Sequence, residues 1–396
     1  MIKIAVVSCY FKHNYGSMLQ AYATQMALDK LGYNNETIDI SGFYYEIKNA
    51  KILYFIKASL TSDILLSKKG MAKNVLIKKF SKGQYAVNSK ERAEKFDNFS
   101  KKYFRLSRKF YSKTELGEYC KKNYSAVLVG SDQLWLPSNI AADYYTLNFV
   151  PDTVNTIAYA TSFGQSSLPK SSSRRALVFL NKIRHISVRE ESGQNLVKSL
   201  VGRNVPIVCD PTLLFTGDEW LNIQETKAII EGKYILCYFL GNNPLHREFA
   251  KRLKQETKCK IVALTHLDEF IKSDEGYADE TPYNIDPADF LNLIRNAEFI
   301  CTDSYHCTLF SILYKRKFFT FRRYTRNTKV STNSRLDTLF KITGINGRLL
   351  NGDESISKCL KIETDFDIAH KNLEELRRTS FDYLLASLRD ERSTDL

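Results

Sequence analysis

Short, continuous apolar runs alternate with amphipathic stretches along most of this chain, and this alternation constrains the fold more than any other feature. Residues 4–7 form the first run, which is typical of a parallel strand buried on both faces. A helical pattern over residues 18–31 follows, and Gly32 is expected to end that helix. Residues 36–40 predict the next strand, so the chain opens with a βαβ unit, whose crossover is expected to be right-handed.

The same alternation continues in two successive series. In the first series, strands are predicted at residues 126–129, 156–160, 186–188 and 205–209, with a helix at 177–183. In the second, strands are predicted at 234–240, 260–264, 298–302 and 318–321, with helices at 245–257, 287–296, 307–314 and 335–342. Strands that alternate with helices in this way are typical of an α/β fold with doubly wound parallel sheets.

The length of 396 residues favours two or three domains, because one domain typically holds about 150 residues. We place an N-terminal Rossmann-like domain at residues 1–216, a linker at 217–232 and a C-terminal Rossmann-like domain at 233–364. A C-terminal helix is predicted within residues 365–396, and a lysine-rich helical insertion at about 48–112. The acidic stretch at 268–286 is interpreted as a solvated surface loop.

The composition is that of a folded globular chain, with 43% hydrophobic residues, 26% charged residues and only 8 prolines. No apolar run approaches the ~18 residues that a membrane helix needs, and the N-terminus lacks the apolar core of a signal peptide. The eight cysteines are scattered without C-x-x-C spacing, which favours reduced thiols in the core. Because the six histidines show no metal-ligand spacing either, we expect a cytoplasmic protein that holds no metal.

Positive charge is concentrated between residues 48 and 82, a segment that holds nine lysines and one acid, Asp63, in a chain with a net charge of +14. Apolar clusters interleave with these lysines at residues 52–56, 64–66 and 75–77. One interpretation is a helical excursion with an ordinary solvated face. Another is a basic amphipathic surface for anionic lipid or a lipid diphosphate. Nucleic acid is a weaker third option, because no zinc-finger or aromatic RNA-binding signature accompanies the charge.

The turn after the first predicted strand, Asn14-Tyr15-Gly16-Ser17, leads into a helix. Gly16 would let the backbone approach a ligand closely, and a helix N-terminus favours an anion. An ordinary strand–helix turn with a serine cap explains the same residues equally well.

The turn after the strand at 126–129 reads Gly130-Ser131-Asp132-Gln133 and offers a hydroxyl, a carboxylate and an amide. Ligands of open α/β sheets collect at the carboxyl ends of strands, so these groups suit sugar hydroxyls or proton transfer. The structural alternative is a helix N-cap followed by a turn.

Two further strand ends carry candidate residues. After the strand at 298–302, Ser304 can cap the following helix, and His306 would project from its first turn as a general acid or base. Arg189 and Glu190 follow the strand at 186–188, and Arg335 begins a predicted helix; both arginines are placed to reach an interdomain cleft. A structural histidine and surface salt bridges are the corresponding alternatives.

Six short motifs, taken in order, resemble the motif set of the polysaccharide pyruvyl transferase family between residue 2 and about residue 350. They are Asn14-Tyr15-Gly16 with Leu19-Gln20-Ala21-Tyr22-Ala23, Gly130-Ser131-Asp132-Gln133-Leu134-Trp135, Tyr159-Ala160-Thr161-Ser162-Phe163-Gly164, Ser187-Val188-Arg189-Glu190-Glu191-Ser192-Gly193, Asp210-Pro211-Thr212-Leu213-Leu214 and Thr302-Asp303-Ser304-Tyr305-His306. Three positions depart from the family pattern: Leu136 stands where Asn is common, Cys307 where Gly is usual and Lys317 where Pro is common. These departures bear on substrate details more than on the chemistry.

The resemblance implies two Rossmann-like domains facing a cleft, similar to the B-type glycosyltransferases, and a reaction that uses phosphoenolpyruvate as donor. The product would be a pyruvate ketal across two hydroxyls of a sugar in a surface or capsular polysaccharide precursor, with phosphate released. His306 is the candidate acid for the enol carbon, and Asp132 is the candidate base. The donor phosphate and carboxylate would be held by Arg189, Arg335 and the helix ends at Gly16 and Ser304. The further substrate-binding candidates are Asn14, Ser17, Ser131, Gln133 and Glu190, and the scheme requires no metal or other cofactor.

Two other functions stay open on the sequence. A glycosyltransferase of the same architecture would take a nucleotide sugar, and fold alone does not separate it from a pyruvyl transferase. A non-catalytic anion- or lipid-binding protein would rest on the lysine-rich segment. The partners expected here are phosphoenolpyruvate and a sugar or lipid-linked oligosaccharide acceptor, with peripheral contact at the inner face of an anionic membrane.

Overall fold

The first half of the chain forms one parallel sheet. The computed structural model describes residues 3–59, 84–265, 271–323 and 334–390. Within these ranges the strands of this sheet are β1 (Lys3–Val7), β2 (Asn34–Asp39), β3 (Leu106–Lys109), β4 (Ala126–Val129), β5 (Asn155–Ala158) and β6 (His185–Ile186). They lie in the order β3-β2-β1-β4-β5-β6, and all their pairings are parallel. This is the Rossmann order: β2 and β3 are added on one side of β1, and β4, β5 and β6 are added on its other side, so the strand order reverses between β1 and β4.

The second half forms another parallel sheet. Its described strands are β7 (Tyr234–Tyr238), β8 (Lys260–Ala263), β9 (Phe299–Thr302), β10 (Lys317–Phe321) and β11 (Leu349–Leu350). They lie in the order β11-β10-β9-β7-β8, so the reversal falls between β7 and β9. The predicted α/β class with two Rossmann-like, doubly wound sheets is confirmed.

Helices connect the strands. In the first half they are α1 (Tyr15–Lys30), α2 (Tyr44–Ser59), α3 (Gln84–Tyr103), α4 (Lys113–Asn123), α5 (Pro137–Ala142), α6 (Lys170–Lys182) and α7 (Glu191–Val201). In the second half they are α8 (Pro244–Thr257), α9 (Pro287–Asn296), α10 (Tyr305–Leu313), α11 (Ser334–Thr343), α12 (Ile356–Leu360) and α13 (Phe366–Leu388). Short 3₁₀ helices occur at Pro211–Leu214, Glu219–Ile223 and Lys272–Asp274.

The local sequence explains why β1, β4 and α1 form next to the point where the strand order of the first sheet reverses. Val6 and Val7 in β1 pair with Leu128 and Val129 in β4, and all four side chains are fully buried, as expected for a central parallel strand. The side chain of Asn14 then accepts a hydrogen bond from the backbone N–H of Ser17 at 3.0 Å and so caps α1. The loops at the carboxyl ends of β1 and β4 are thereby held next to each other.

Helix α13 joins the two halves. It packs against α11 of the second half and returns to the first half, where the Asn155 amide donates a hydrogen bond to the Ser387 carbonyl at 2.8 Å. On the same helix, the Arg377 Nε donates to the carbonyl of Leu213 at 2.8 Å. One buried apolar cluster also includes residues of both sheets, among them Leu128 and Leu236. These contacts hold the two reversal points of the sheets on either side of one cavity.

The structure corrects three sequence predictions. The strand predicted at 205–209 is wrong: Ile207 forms only an isolated bridge with Val188, because Pro206 lacks the N–H that a ladder needs. The insertion predicted at about 48–112 is not purely helical, since it contains the edge strand β3. The acidic stretch is not a fully solvated loop, since Tyr277 and Ile285 within it are buried. Residues 268–270 of that stretch, and residues 60–82 of the lysine-rich segment, lie outside the described ranges.

Candidate active site

A cavity of about 590 Å³ lies between the two reversal points. Its walls come from the loops that follow β1, β4, β7 and β9, from the start of α2, and from Arg323 and Arg335. Parallel α/β sheets bind ligands at this position, outside the carboxyl ends of the strands where the strand order reverses. We call the outer edge of this cavity, formed by Phe11, Lys12 and Tyr44, the rim; Lys12 and Tyr44 are exposed there.

The structure brings most of the predicted residues to this cavity. Those that line it are Asn14, Ser17, Asp132, Gln133, Ser304, His306 and Arg335. The other four predicted residues lie against this set without lining the cavity: Gly16, Ser131, Arg189 and Glu190. The sequence prediction therefore contained both residues that can touch a ligand and residues that position them.

Arg189 is the central cation of the site and is fully buried. Its Nη1 donates a hydrogen bond to Asp210 Oδ2 at 2.6 Å, and its Nη2 donates to Asp132 Oδ1 at 3.3 Å. A third carboxylate, that of Glu190, lies 3.6 Å from the Arg189 Nε and accepts a hydrogen bond from the Ser162 hydroxyl at 2.7 Å. Because both Nη groups are engaged with carboxylates, Arg189 fixes the positions of Asp132 and Asp210.

Asp132 is held in an unusual backbone conformation at the carboxyl end of β4. Its φ is +82°, a value that few residues other than glycine adopt, and its carbonyl accepts a hydrogen bond from the N–H of Ser162. The Ser17 hydroxyl donates to Asp132 Oδ2 at 2.6 Å. Burial alone would raise the pKa of Asp132, but Arg189, supported by His306, Lys12 and Ser17, holds that pKa well below its usual range. Asp132 is therefore a carboxylate at neutral pH.

His306 lies in the first turn of α10. Ser304 caps this helix, since its hydroxyl accepts a hydrogen bond from the N–H of Cys307. The His306 Nε2 is buried and lies 3.5 Å from Asp210 Oδ2 without forming a hydrogen bond to any described residue. On the opposite side of the ring, a Cβ added to Gly16 would lie 2.1 Å from Nδ1. The imidazole is thus confined between the two halves of the protein.

Asp210 is a site residue that the residue-by-residue analysis of the sequence did not select. It accepts hydrogen bonds from the Ser131 hydroxyl at 2.9 Å and from the Thr212 hydroxyl at 2.8 Å, in addition to the one from Arg189. Burial opposes ionisation, yet His306 together with Arg189 keeps the pKa of Asp210 well below its usual range. The motif Asp210-Pro211-Thr212 was the signal that could have identified it. Taken by itself, however, Asp before Pro is an ordinary turn opener and does not point to a site.

Arg335 is a cation that is available for a ligand. Its side chain lines the cavity, only 8% of the residue is exposed, and it forms no ion pair with another described residue. Its guanidinium lies 5.5 Å from the centre of the Tyr305 ring, and that of Arg189 lies 4.9 Å from the same centre. Burial, together with the like charge of Arg189, lowers the pKa of Arg335 to about 10. The carboxylates of Asp132 and Glu190 offset this effect only in part, so the buried guanidinium favours binding of an anion.

Asp303 and Arg323 order the loop after β7. Asp303 is buried and accepts hydrogen bonds from the backbone N–H groups of Leu240, at 2.6 Å, and Gly241, at 2.8 Å. The Arg323 guanidinium donates to the Asp303 carbonyl at 3.1 Å and also lines the cavity. The sequence analysis did not select either residue, since their contacts depend on the pairing of β7 with β9.

Metal clusters and membrane-spanning helices are both absent from the described residues. No group of three or more His, Cys, Asp or Glu side chains in these ranges has an arrangement that could hold a metal ion. No helix among them is both long enough and apolar enough to cross a membrane. The eight cysteines, all of which are described, are buried free thiols.

Comparisons with known proteins agree with this architecture. A family model described as polysaccharide pyruvyl transferase matches residues 14–323 of the chain. The fold is similar to that of UDP-N-acetylglucosamine 2-epimerase from Rickettsia bellii, with a TM-score of 0.55 and 11% identity over 100% of this chain and 99% of that one. It is also similar to the UDP-GlcNAc 2-epimerase of Methanocaldococcus jannaschii, with a TM-score of 0.50 and 13% identity over 96% of this chain and 100% of that one.

No curated protein matches the sequence. At these identities the structural likeness shows the fold alone, which is the arrangement of two Rossmann-like units found in B-type glycosyltransferases and related epimerases.

Proposed function

Because the chain belongs to the polysaccharide pyruvyl transferase family, we propose that it moves the pyruvyl group of phosphoenolpyruvate onto two hydroxyls of one sugar. The acceptor in this proposal is the precursor of a surface polysaccharide, carried on a lipid. The observation that carries the proposal is the combination, in one cavity, of a buried cation, Arg335, that forms no ion pair within the described ranges, with the confined imidazole of His306.

Donor binding requires cations, since phosphoenolpyruvate carries a phosphate and a carboxylate. We assign Arg335 as the direct ligand of one of these groups, because its guanidinium lines the cavity and forms no ion pair within the described ranges. The N-terminus of α10 at Ser304 adds the partial positive charge of a helix end. Arg189 acts differently, as a positioning residue that holds Asp132 and Asp210. No metal takes part in the proposed scheme, because these side chains supply the positive charge.

His306 is the proposed general acid. Transfer of its proton to the C3 methylene of the donor makes a methyl group and leaves positive charge on C2. The Asp210 Oδ2 lies 3.5 Å from the His306 Nε2 and places a negative charge beside the imidazole. The enol phosphate is thereby converted into an oxocarbenium ion that a sugar hydroxyl can attack.

Asp132 is the proposed general base. The first sugar hydroxyl adds to C2 and gives its proton to the carboxylate; the bond between C2 and the phosphate oxygen then breaks. The second hydroxyl adds to C2 and closes the ketal, and its proton leaves with the phosphate or with solvent. A dianionic phosphate bound nearby opposes the effect of Arg189 and raises the pKa of Asp132, because a like charge disfavours the ionised form. The bound donor therefore makes Asp132 a stronger base.

The reaction is tested by following phosphate release from phosphoenolpyruvate with a panel of free and lipid-linked glycosides, and by identifying the ketal by mass spectrometry. The wild type should release phosphate only with a suitable glycoside, and His306→Ala should release little. UDP-N-acetylglucosamine serves as the control donor. Turnover of the nucleotide sugar without turnover of phosphoenolpyruvate would replace the proposal with a glycosyltransferase.

A further inference from the structure

Both carboxylate oxygens of Asp132 accept hydrogen bonds from the protein. The Arg189 Nη2 donates to Oδ1 at 3.3 Å. The Ser17 hydroxyl, at 2.6 Å, and the Cys9 thiol, at 3.7 Å, both donate to Oδ2. Because a carboxylate oxygen has about two acceptor positions, these two donors occupy Oδ2. A sugar hydroxyl that gives its proton to Oδ2 must therefore do so through one of the two donors.

Of these two donors, Ser17 is the one that borders the cavity. It lines the cavity beside Asp132, and its bond of 2.6 Å has the length of a hydrogen bond between a hydroxyl and an ionised carboxylate. A hydroxyl oxygen also has acceptor positions, so Ser17 can accept a hydrogen bond from a sugar while it donates to Asp132. Cys9 is fully buried and does not line the cavity. Burial raises the pKa of its thiol to about 11, so Cys9 stays a neutral donor behind the carboxylate.

Two side chains fix the backbone of Ser17. Its N–H donates a hydrogen bond to Asn14 Oδ1 at 3.0 Å, and its carbonyl accepts one from Gln20 Nε2 at 2.9 Å. Gln20 is fully buried, and its Nε2 also donates to the Cys9 Sγ at 3.8 Å. The first turn of α1 thus holds the Ser17 hydroxyl against the carboxylate of Asp132 before a ligand binds.

Arg189 determines which oxygen of Asp132 takes up a proton. Its guanidinium donates to Oδ1, where an added proton would meet a positive charge. The donors to Oδ2 are the neutral side chains of Ser17 and Cys9, which makes Oδ2 the more basic of the two oxygens. The proton of an attacking hydroxyl is therefore directed to the oxygen that the Ser17 hydroxyl covers.

We propose that Ser17 is a catalytic residue that relays the proton of the attacking sugar hydroxyl to Asp132. As the bond between the sugar oxygen and C2 of the donor forms, the sugar O–H bond breaks and its proton passes to the Ser17 Oγ. The proton of Ser17 passes at the same time to Asp132 Oδ2. Ser17 ends as a neutral hydroxyl and Asp132 as a carboxylic acid, which loses its proton to solvent after the product leaves. This inference rests on the proposed function, because it takes Asp132 as the base, and it adds the group that touches the reacting hydroxyl.

The first test measures phosphate release by Ser17→Ala with saturating phosphoenolpyruvate and the most active glycoside of the panel. Without the relay, kcat should fall by about 10²-fold, as for loss of a group in general acid–base catalysis. The dissociation constant of phosphoenolpyruvate, from calorimetric titration, should stay within about twofold, because Arg335 holds the donor. Thr24→Val is the matched control and should keep the wild-type kcat. It removes a buried hydroxyl of the same helix that donates to the Gln20 carbonyl and lies outside the cavity.

Further variants separate a relay from a group that only positions Asp132. Ser17→Thr keeps a hydroxyl and should recover most of the wild-type kcat. Ser17→Asn offers an amide N–H that can donate a hydrogen bond to Asp132 but cannot pass a proton on, so its kcat should stay low. Because relay and base act as one unit, Ser17→Ala should lower kcat by no more than about threefold when Asp132→Asn is already present.

A wild-type kcat in folded Ser17→Ala overturns the inference, because the sugar hydroxyl then gives its proton to Asp132 directly. Equal recovery in Ser17→Asn and Ser17→Thr makes Ser17 a positioning residue, and weaker donor binding with unchanged kcat makes it a ligand of the donor; either result also overturns the relay. Circular dichroism and thermal melting show whether each variant is folded. Failure of the proposed function is distinguishable, since it appears as absence of phosphate release from phosphoenolpyruvate in the wild type.

Discussion

The imidazole of His306 lies against Gly16 so closely that a Cβ at that position would be 2.1 Å from Nδ1. Gly16 lies in the first turn of α1 at the reversal point of the first sheet, and His306 lies in the first turn of α10 at the reversal point of the second. The sequence analysis left two explanations open for Gly16, close approach of a ligand and an ordinary strand–helix turn. In the structure, the backbone at Gly16 is approached by a side chain from the other half, which fixes the position of the proposed acid.

Replacing Gly16 with alanine should therefore disable the enzyme by moving His306. A Cβ at position 16 forces the imidazole to shift by about 1 Å, and displacement of a catalytic group by that distance can cost about 10²-fold in rate. We expect kcat for ketal formation to fall by this order, with donor affinity retained. Gly130→Ala is the control, because a Cβ there meets no atom closer than 3.5 Å. Equal activity of the two variants would show that the contact has no catalytic consequence.

His306→Ala should lower kcat by about 10²–10⁴-fold, which is the usual contribution of a general acid or base. The fold should persist, and circular dichroism checks this. Asp210→Asn supplies a second measurement, since it removes the carboxylate that lies 3.5 Å from the His306 Nε2, and it should also lower kcat. If a folded His306→Ala variant keeps more than about a tenth of the wild-type rate, the acid is another group.

The two arginines should respond differently to lysine. Arg335→Lys should raise the KM for phosphoenolpyruvate with little change in Tm, because an ammonium group cannot bind a phosphate or carboxylate in a bidentate manner. Arg189→Lys should lower both kcat and Tm, since one ammonium group cannot hold Asp132 and Asp210 together. Steady-state kinetics and thermal melting separate the roles. Wild-type kcat/KM in both variants would remove these arginines from the mechanism.

The position of polar residues at the strand ends could be predicted from the sequence, whereas the network of contacts behind them could not. Apolar runs located the ends of β4 and β9, and polar residues directly after them, such as Asp132 and His306, had to lie near the edge of a sheet. The partnership of Asp210 with His306 depends on how the two sheets face each other, which periodicity does not encode. The same holds for Arg189, whose side chain is buried by packing although arginines are usually exposed.

Lys51 should make the protein less stable at neutral pH. Its pKa in the folded state, about 8, lies below the ordinary value of 10.5, so the charged form is disfavoured by folding. This loss of folding free energy is fully present below pH 8 and disappears as the pH rises towards 10.5, the ordinary pKa of lysine in the unfolded chain. Lys51→Met should therefore raise the free energy of unfolding at pH 7 by about 1–2 kcal/mol, after allowance for partial exposure.

Denaturant unfolding of wild type and Lys51→Met at pH 7 and pH 10 measures this effect. The difference between the two proteins should shrink at the higher pH, because lysine and methionine are then both uncharged in the folded state. A stabilisation that does not change with pH would come from packing of the methionine and not from removal of the charge.

The lysine-rich segment decides whether the enzyme works at a membrane. On α2, Lys48 and Lys57 are exposed beside the exposed apolar side chains of Ile52 and Leu53, as on an interfacial helix. Each lysine near an anionic leaflet contributes about 1 kcal/mol, so even half of the segment's lysines would give firm but salt-sensitive attachment. An acceptor whose carrier stays in the bilayer would then be within reach of the rim.

Replacing Lys68, Lys69, Lys73, Lys78 and Lys79 together with glutamine tests this attachment without altering α2. We expect weaker co-sedimentation with anionic liposomes and slower reaction on a lipid-linked acceptor, with little change on a short soluble glycoside, because chemistry in the cavity is untouched. Raising the salt concentration should weaken binding of the wild type in the same way, since exposed charges are screened over about 10 Å at 0.1 M salt. Liposome binding that the five substitutions leave unchanged at low salt would mean that these lysines serve only to solvate the surface.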